Sequence, residues 1–170
     1  DQLEGLGIPT DPAHVMTSSL AAAKMLAQDL PAGSTVLCVG GPGLAQAMSA
    51  QGYRVVTSAE EHPDAVAQGY GPHVGWAELT EAAYAVGQGA RYIATNLDAS
   101  LPTERGMAVG NGSLVAAVVN ATGVRPVSAG KPEAGIFHEA AALVGSTSPV
   151  VVGDRLDTDL AGARAAGMPG

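Results

Sequence analysis

The carboxyl-terminal part of the chain holds the densest group of residues that could do chemistry. An apolar run at residues 150–152 ends at Gly153, and Asp154, Asp157 and Asp159 follow within six residues. Three close carboxylates repel one another unless a cation lies among them, and carboxylate oxygens are ligands that Mg²⁺ prefers. One acid could instead cap a helix while the others face solvent. The spacing favours a magnesium site, with the cap and surface acids as the alternative.

A lysine in a constrained position is the second candidate. Lys131 stands between Gly130 and Pro132, directly before a predicted helix at residues 133–143. A proline there would set the first helical turn and hold Lys131 at the mouth of the helix. A cation at that end faces the positive pole of the helix dipole, which is unfavourable unless an anion lies between them. The pattern therefore predicts that Lys131 binds an anion; a solvated loop lysine is the alternative.

Two further segments follow predicted strands. Asn96 and Asp98 come after the strand at residues 90–95, at the end where ligands of α/β sheets gather, although both are also common turn residues. A glycine-rich turn at residues 40–43 could present backbone N–H groups to a phosphate. Its G-x-G-x-x-G pattern is incomplete because Gln46 replaces the last glycine. A tight structural turn is favoured there over a nucleotide site.

Strands and helices alternate along the chain, which predicts an α/β fold with a mostly parallel sheet. Strands are predicted at residues 15–17, 35–39, 53–57, 64–68, 90–95 and 149–152, and helices at 19–30, 44–50, 76–86, 112–122, 133–143 and 157–166. The apolar run at 35–39 is typical of a strand covered on both faces.

Composition excludes several classes of protein. The 170 residues include 46% hydrophobic residues, enough for a sizeable core and too many for a disordered chain. A net charge of −8 and a pI near 4.7 argue against nucleic-acid and anionic-membrane partners. No apolar stretch approaches the ~20 residues of a membrane span, and no signal-peptide pattern opens the chain. We expect a cytoplasmic protein in which Cys38, the single cysteine, is a small core residue.

The motifs together resemble a known family. They read ATNLD from residue 94, LPTERG from 101, GNGSLVAA from 110, GKPE from 130 and VVVGDRLDTDLAGARAAGM from 150. In this order they resemble the haloacid dehalogenase (HAD) superfamily of phosphatases. The resemblance is greatest to its NagD-like branch, which contains 4-nitrophenylphosphatases and phosphoglycolate or glycerol-phosphate phosphatases. It implies a Mg²⁺-dependent phosphatase that acts on small phosphate monoesters through an aspartyl-phosphate intermediate.

The resemblance also implies catalytic roles for Lys131, Asp154 and Asp159. Asp154 would be a Mg²⁺ ligand, and Lys131 would neutralise the transferring phosphoryl group and the nucleophile. Asp159 would lie in the shell around the metal and bind its waters or its other ligands. Asp157 is the weaker candidate for that outer position.

The same resemblance implies a substrate-binding role for a second set of residues. Asn96, Asp98 and the loop from Leu101 to Arg105 would descend over the active site and select the leaving group, and Lys131 would bind the phosphate. Leu101 favours a small aliphatic phosphate such as glycerol phosphate or phosphoglycolate. Arg105 could bind a substrate anion, with a surface ion pair as the alternative.

The chain departs from the family pattern at two motifs. It has neither the DxDGT sequence that carries the nucleophile nor the TNN-like second motif. We therefore expect a fragment with a partial Rossmannoid core at residues 1–35 and 128–170 and an inserted α/β cap domain of the C2 type at 36–127. Alone, such a chain is expected to be inactive.

Two other functions stay open. The cap could serve as a noncatalytic binding or dimerisation module, because caps in this family often meet across a homodimer. A dinucleotide-binding module built on residues 40–43 is the weaker possibility.

Overall fold

The computed structural model describes residues 2–9 and 11–170, which form two compact units. One unit is Ser18–Gly130, and the other joins residues before Ser18 to Lys131–Gly170. The strands are β1 (Thr35–Val39), β2 (Arg54–Val56), β3 (Ala65–Gln68), β4 (Arg91–Ala94), β5 (Ser100–Thr103), β6 (Gly106–Val109) and β7 (Val127–Ser128). The α-helices are α1 (Gln2–Gly5), α2 (Ser18–Leu26), α3 (Pro42–Ala50), α4 (Trp76–Gly87), α5 (Asn111–Thr122), α6 (Ala134–Leu143) and α7 (Ala161–Ala165).

The larger unit is built on a five-stranded parallel sheet with the order β2-β1-β3-β4-β7. The predicted α/β class and parallel sheet are confirmed. Every residue of β3 is buried, as expected for a central parallel strand covered on both faces. One face carries Leu37, Val66 and Tyr92 against Val115 and Val118 of α5. Because all five strands run the same way, the carboxyl ends of β1, β3 and β4 meet at one edge.

The sheet also explains the single cysteine. Cys38 lies in β1, paired with Ala67 of β3. Burial raises the pKa of its thiol to about 12, so it stays protonated at neutral pH. An uncharged, sheltered thiol behaves as a small apolar side chain, as the sequence predicted.

A separate antiparallel hairpin, β5–β6, occupies much of the segment expected to be a loop from Leu101 to Arg105. Gly106 adopts a φ of +119°, which a residue with a side chain rarely takes, and so allows the tight reversal. The Thr103 hydroxyl donates to the Gly106 carbonyl at 2.7 Å and accepts from the Arg105 amide at 3.3 Å. These turn contacts hold Arg105 at the tip of the hairpin.

The smaller unit has helices but no strand among its described residues, and two strand predictions there are wrong. Residues 15–17 and 149–152 are not strands. A parallel strand needs a ladder of hydrogen bonds to a neighbouring strand, and the described part of this unit contains no strand that pairs with these segments. Val150 and Val152 are 68% and 94% exposed, and only the Val151 amide is tied down, by the Pro169 carbonyl at 2.8 Å.

A wide helical turn, Leu156–Leu160, precedes α7 in this unit. The Asp159 and Leu160 amides both donate to the Arg155 carbonyl, at 2.9 and 3.2 Å. Within the described residues, no helix is both long and apolar enough to cross a membrane.

Candidate phosphate and metal site

Lys131 and Asp159 form an ion pair in the smaller unit. The Lys131 Nζ donates to Asp159 Oδ1 at 2.5 Å, and the Arg155 amide donates to Asp159 Oδ2 at 3.2 Å. Asp159 is only 7% exposed. The bond from Lys131, followed by the one from the Arg155 backbone, lowers the pKa of the Asp159 carboxyl below its usual value. The carboxylate is therefore ionised at neutral pH and holds the lysine in a fixed position.

Two local features bring Asp159 to this place. The wide turn Leu156–Leu160 points its side chain inward, towards the chain at Gly153. A Cβ on Gly153 would overlap the Cβ and Cγ of Asp159, so only glycine fits there. The glycine that ends the apolar run is thus a packing requirement of the Lys131–Asp159 pair.

Asp154 follows Gly153 and is exposed. Its carboxylate makes no hydrogen bond or ion pair with any residue that the structure describes, so its oxygens are open to a ligand. Mg²⁺ is usually held by one or two protein carboxylates and keeps several waters. An exposed, uncommitted carboxylate beside a fixed Lys131–Asp159 pair fits that requirement.

Asp157 is bound to Arg155. The Arg155 Nε and Nη2 donate to its two oxygens at 3.1 and 2.7 Å, and this bond lowers the pKa of the Asp157 carboxyl. In the described part of the chain, no three His, Cys, Asp or Glu side chains gather as a metal site. The repulsion among the three acids is relieved by Arg155 and Lys131, each bound to one of them, and not by a shared site.

The position expected for Lys131 also differs. Helix α6 begins at Ala134, so Pro132 lies before the helix and Lys131 is not at its mouth. Residues 131–133 form a turn and a bend instead of the first helical turn, so α6 begins at Ala134. The anion beside Lys131 is the Asp159 carboxylate.

The substrate-binding candidates all lie in the larger unit. Asn96 is half-buried just beyond β4, and its Oδ1 accepts from the Asp98 amide at 3.3 Å. Asp98 itself is exposed. Leu101 lies on β5, half-buried, and Arg105 is exposed at the hairpin tip. The structure thus brings Asn96 and Asp98 together in one turn and carries Leu101 and Arg105 on a hairpin.

Asn96 also lines a small pocket that residue patterns did not reveal. Its volume is about 160 Å³, and its walls include Ser18, Ser19, Tyr70 and Thr95. It lies at the carboxyl ends of β1, β3 and β4, where the strand order reverses between β1 and β3. Such reversals are the usual ligand positions in open α/β sheets. The sequence singled out Asn96 and the turn at residues 40–43, but only the strand order shows that they line one pocket together with Tyr70.

The glycine-rich turn at residues 40–43 is tightly packed. The Gly41 amide already donates to the Tyr70 carbonyl at 2.8 Å, and a Cβ on Gly71 would approach the Gly40 carbonyl carbon to 2.8 Å. The backbone of this turn packs directly against the backbone at residues 70–71. The Gly41 amide, which could have bound a phosphate, already has a hydrogen-bond acceptor. The geometry favours the structural turn over a nucleotide site.

Comparison with known proteins places this arrangement in a family. A family model described as haloacid dehalogenase-like hydrolase matches residues 1–54, and a related one, HAD-hydrolase-like, matches residues 128–170. The crystal structure of a double mutant of a thermostable NPPase from Geobacillus stearothermophilus is 35% identical, with a TM-score of 0.92. The alignment covers 99% of this chain and 67% of that one. The chain belongs to the haloacid dehalogenase-like hydrolases.

Within that family the chain is similar to glycerol phosphate phosphatases. It is 48% identical to the D-glycerol 3-phosphate phosphatase of Mycobacterium tuberculosis over 164 residues, 96% of this chain and 46% of that protein. The crystal structure of glycerol phosphate phosphatase from the same organism in complex with magnesium matches with a TM-score of 0.96 at 48% identity, over 98% of this chain and 51% of that one. The chain thus spans about half the length of this relative.

Proposed function

We propose that the whole protein is a Mg²⁺-dependent phosphatase that hydrolyses small phosphate monoesters through an aspartyl-phosphate intermediate. The observation that carries this proposal is the Lys131–Asp159 ion pair packed against Gly153, directly before the uncommitted carboxylate of Asp154. Phosphoryl transfer needs fixed positive charge at the phosphoryl oxygens more than it needs covalent chemistry from the protein. Family membership and the named relatives support the same reaction.

In this proposal Lys131 binds and neutralises the phosphoryl oxygens. Its stem is anchored at the start of the Lys131–Gly170 segment, and its ammonium is 2.5 Å from Asp159. Asp159 keeps the ammonium in one place, because the ion pair restricts the rotamers of the lysine side chain. A lysine that is ordered before the substrate arrives loses less entropy on binding.

Asp154 is the proposed metal ligand. Magnesium bound there would supply positive charge close to the transferring group. Asp159 and, more weakly, Asp157 remain candidates for the shell around the metal. Asp157 would have to release Arg155 to act there, which makes it the poorer candidate.

The larger unit would select the substrate. We propose that residues 36–127, all inside the compact unit Ser18–Gly130, form the cap, with partial core at residues 1–35 and 128–170. Asn96, Asp98, Leu101 and Arg105 are its proposed substrate-binding residues, and Lys131 holds the phosphate. Glycerol phosphate, phosphoglycolate and 4-nitrophenyl phosphate are the proposed substrates, supported by the names of the relatives.

A substrate panel on the full-length protein tests this function. We expect phosphate release from glycerol 3-phosphate, phosphoglycolate and 4-nitrophenyl phosphate with Mg²⁺, and loss of release when EDTA removes the metal. A phosphodiester serves as the control substrate and should not be cleaved. Release that is equally fast with EDTA, or no release from any monoester, would contradict the proposal.

Homodimerisation through the cap is the second candidate function. Met107 and Val109 of β6 are 70% and 62% exposed, and apolar side chains on an open hairpin favour an interface. A noncatalytic module would not need a lysine ordered by a buried carboxylate, so the Lys131–Asp159 pair favours the enzyme. Size-exclusion chromatography of this chain and of a Met107→Glu variant tests the dimer: only the unaltered chain should elute at twice its mass. Cytoplasmic location is proposed from the acidic composition.

A further inference from the structure

The start of α5 is hydrogen-bonded to the turn that carries Asn96 and Asp98. Four hydrogen bonds run from residues 110–113 to the carbonyls of residues 96–99. They are Asn111 Nδ2 to Asn96 at 2.8 Å, Gly112 N to Asp98 at 2.8 Å, Gly110 N to Ala99 at 2.9 Å and Ser113 Oγ to Ala99 at 2.7 Å. A Cβ on Gly110 or Gly112 would overlap the carbonyl oxygens of Asp98 and Leu97, so both glycines are required by this close approach. We call residues 96–99 the gripped segment.

Two buried side-chain amides near these contacts each have one atom without a hydrogen-bond partner among the described residues. Asn111 is 2% exposed and donates to the Asn96 carbonyl, but its Oδ1 accepts nothing from the described residues. Gln68 is fully buried at the end of β3; its Oε1 accepts from the Tyr92 hydroxyl at 2.5 Å, while its Nε2 donates to no residue that the structure describes. Buried amide groups without a hydrogen-bond partner are rare, because such a group loses its hydrogen bonds to water and gains none in the protein.

Strand register and core packing place the two groups on the same side of the sheet, at neighbouring levels along β4. Gln68 is paired in register with Ala94, two residues before Asn96, whose carbonyl binds Asn111. Tyr92 and Ala94 share a core cluster with Val115, one helical turn beyond Asn111 on α5. One unpaired group is a donor and the other is an acceptor.

We propose that one buried water molecule joins Gln68 Nε2 to Asn111 Oδ1. The water accepts from the Gln68 amide and donates to the Asn111 carbonyl oxygen, which satisfies both groups with one molecule. Tyr92, Gln68, the water and Asn111 then form one connected set that ends at the Asn96 backbone. This set fixes the gripped segment against the sheet.

Gln68 and Asn111 are therefore positioning residues for Asn96 and Asp98. They touch no substrate and act by holding the segment that does. This last consequence rests on the proposed function, because it takes Asn96 and Asp98 as substrate-binding residues. The water site and the rigidity of the segment do not depend on it.

A crystal structure at a resolution that shows ordered water is the first test. We expect one water within about 2.7–3.2 Å of both Gln68 Nε2 and Asn111 Oδ1. A direct bond between the two side chains, or no water between them, would overturn the site.

Amide hydrogen exchange tests the effect on the gripped segment. Gln68→Met alone would leave the Tyr92 hydroxyl buried without an acceptor, so the informative variant is Gln68→Met with Tyr92→Phe. The matched control is Tyr92→Phe, which keeps the Gln68 amide. We expect the amides of Gly110 and Gly112 to exchange about fivefold faster in the double variant than in the control, as for the loss of one buried hydrogen-bonded link. Equal exchange in the two variants would refute the link.

Kinetics of the full-length protein separates this inference from the proposed function. We expect the double variant to raise KM for glycerol 3-phosphate about fivefold over the control, with kcat changed less than twofold. An unchanged KM in an active enzyme would contradict the positioning role. Absence of activity in the unaltered protein would count against the proposed function alone, and the exchange result would still decide the water link.

Discussion

At the scale of single residues, the position of one ammonium group governs the candidate site. Lys131 is half-exposed, and a free lysine on a loop samples many rotamers. The ion pair with the buried Asp159 replaces that freedom with one arrangement. Its net effect on stability is modest because Lys131 remains partly hydrated. Under the proposed function its effect on activity would be larger, since it would fix the charge where a phosphate would bind.

The first prediction concerns the Asp159 carboxyl. Lys131→Met should raise the pKa of Asp159 towards its ordinary value, because the bond from Lys131 is the main cause of its depression. A lowered folded-state pKa stabilises the fold above the unfolded value, and this contribution is lost as the pH falls through the folded value. NMR titration of the carboxyl carbons measures the change. Arg54→Met, which breaks only the surface pair with Glu61, is the control and should leave Asp159 unmoved.

Residue patterns predicted Lys131 and Asp154 as candidates, but not their surroundings. Lys131 and Asp159 are 28 positions apart, so their bond depends on how α6, α7 and the wide turn pack. Gln68 gave no signal at all, since a single glutamine at the end of an apolar run is ordinary in sequence. Its importance appears only when its unpaired amide is seen in the core.

At the scale of elements, the close contact between α6 and α7 holds the lysine loop against the Asp159 turn. Gly162 of α7 lies under the ring of Phe137 of α6. A side chain at Gly162 would push the two helices apart. The glycine in the AGARAAGM run is therefore explained by packing.

The second prediction compares two glycines of these helices. Gly162→Ala places a Cβ in the Phe137 ring and should cost about 1–3 kcal/mol, whereas the Cβ of Gly135→Ala meets nothing within 4 Å. The latter should be neutral or stabilise α6 by about 0.5 kcal/mol. Exchange of the Ala166 and Met168 amides, which close the last turn of α7, reports the difference. Equal exchange in both variants would show that the helices do not meet as described.

Strand prediction succeeded where neighbours exist and failed where they do not. Residues 35–39, 64–68 and 90–95 were recognised from local apolar patterns, and the sheet supplies partners for each. Residues 15–17 and 149–152 have similar patterns, but hydrogen bonds from a neighbouring strand decide whether such a run becomes a strand. Hairpin β5–β6 was missed because Pro102 and Gly106 weaken its strand signal, although an edge strand tolerates a proline.

At the scale of the whole molecule, the chain combines one self-contained sheet with a smaller helical unit. The sheet unit carries the proposed substrate-selecting residues, and the helical unit carries Lys131 and Asp154. The overall class was predictable because the alternation of elements is encoded locally along the chain. The division at Ser18 and Gly130 was not, because contacts within each unit set it.

The central claim is that Asp154 is a Mg²⁺ ligand, whereas Asp157 is bound to Arg155 and is only a weak candidate for the shell around the metal. The most direct measurement is Mg²⁺-dependent hydrolysis of 4-nitrophenyl phosphate by the full-length protein, compared with its Asp154→Asn and Asp157→Asn variants. Loss of a metal ligand should lower kcat/KM at least about 100-fold in Asp154→Asn, whereas Asp157→Asn, which loses only its bond to Arg155, should stay within about threefold of the unaltered protein. Full activity in Asp154→Asn, or equal losses in both variants, would contradict the account.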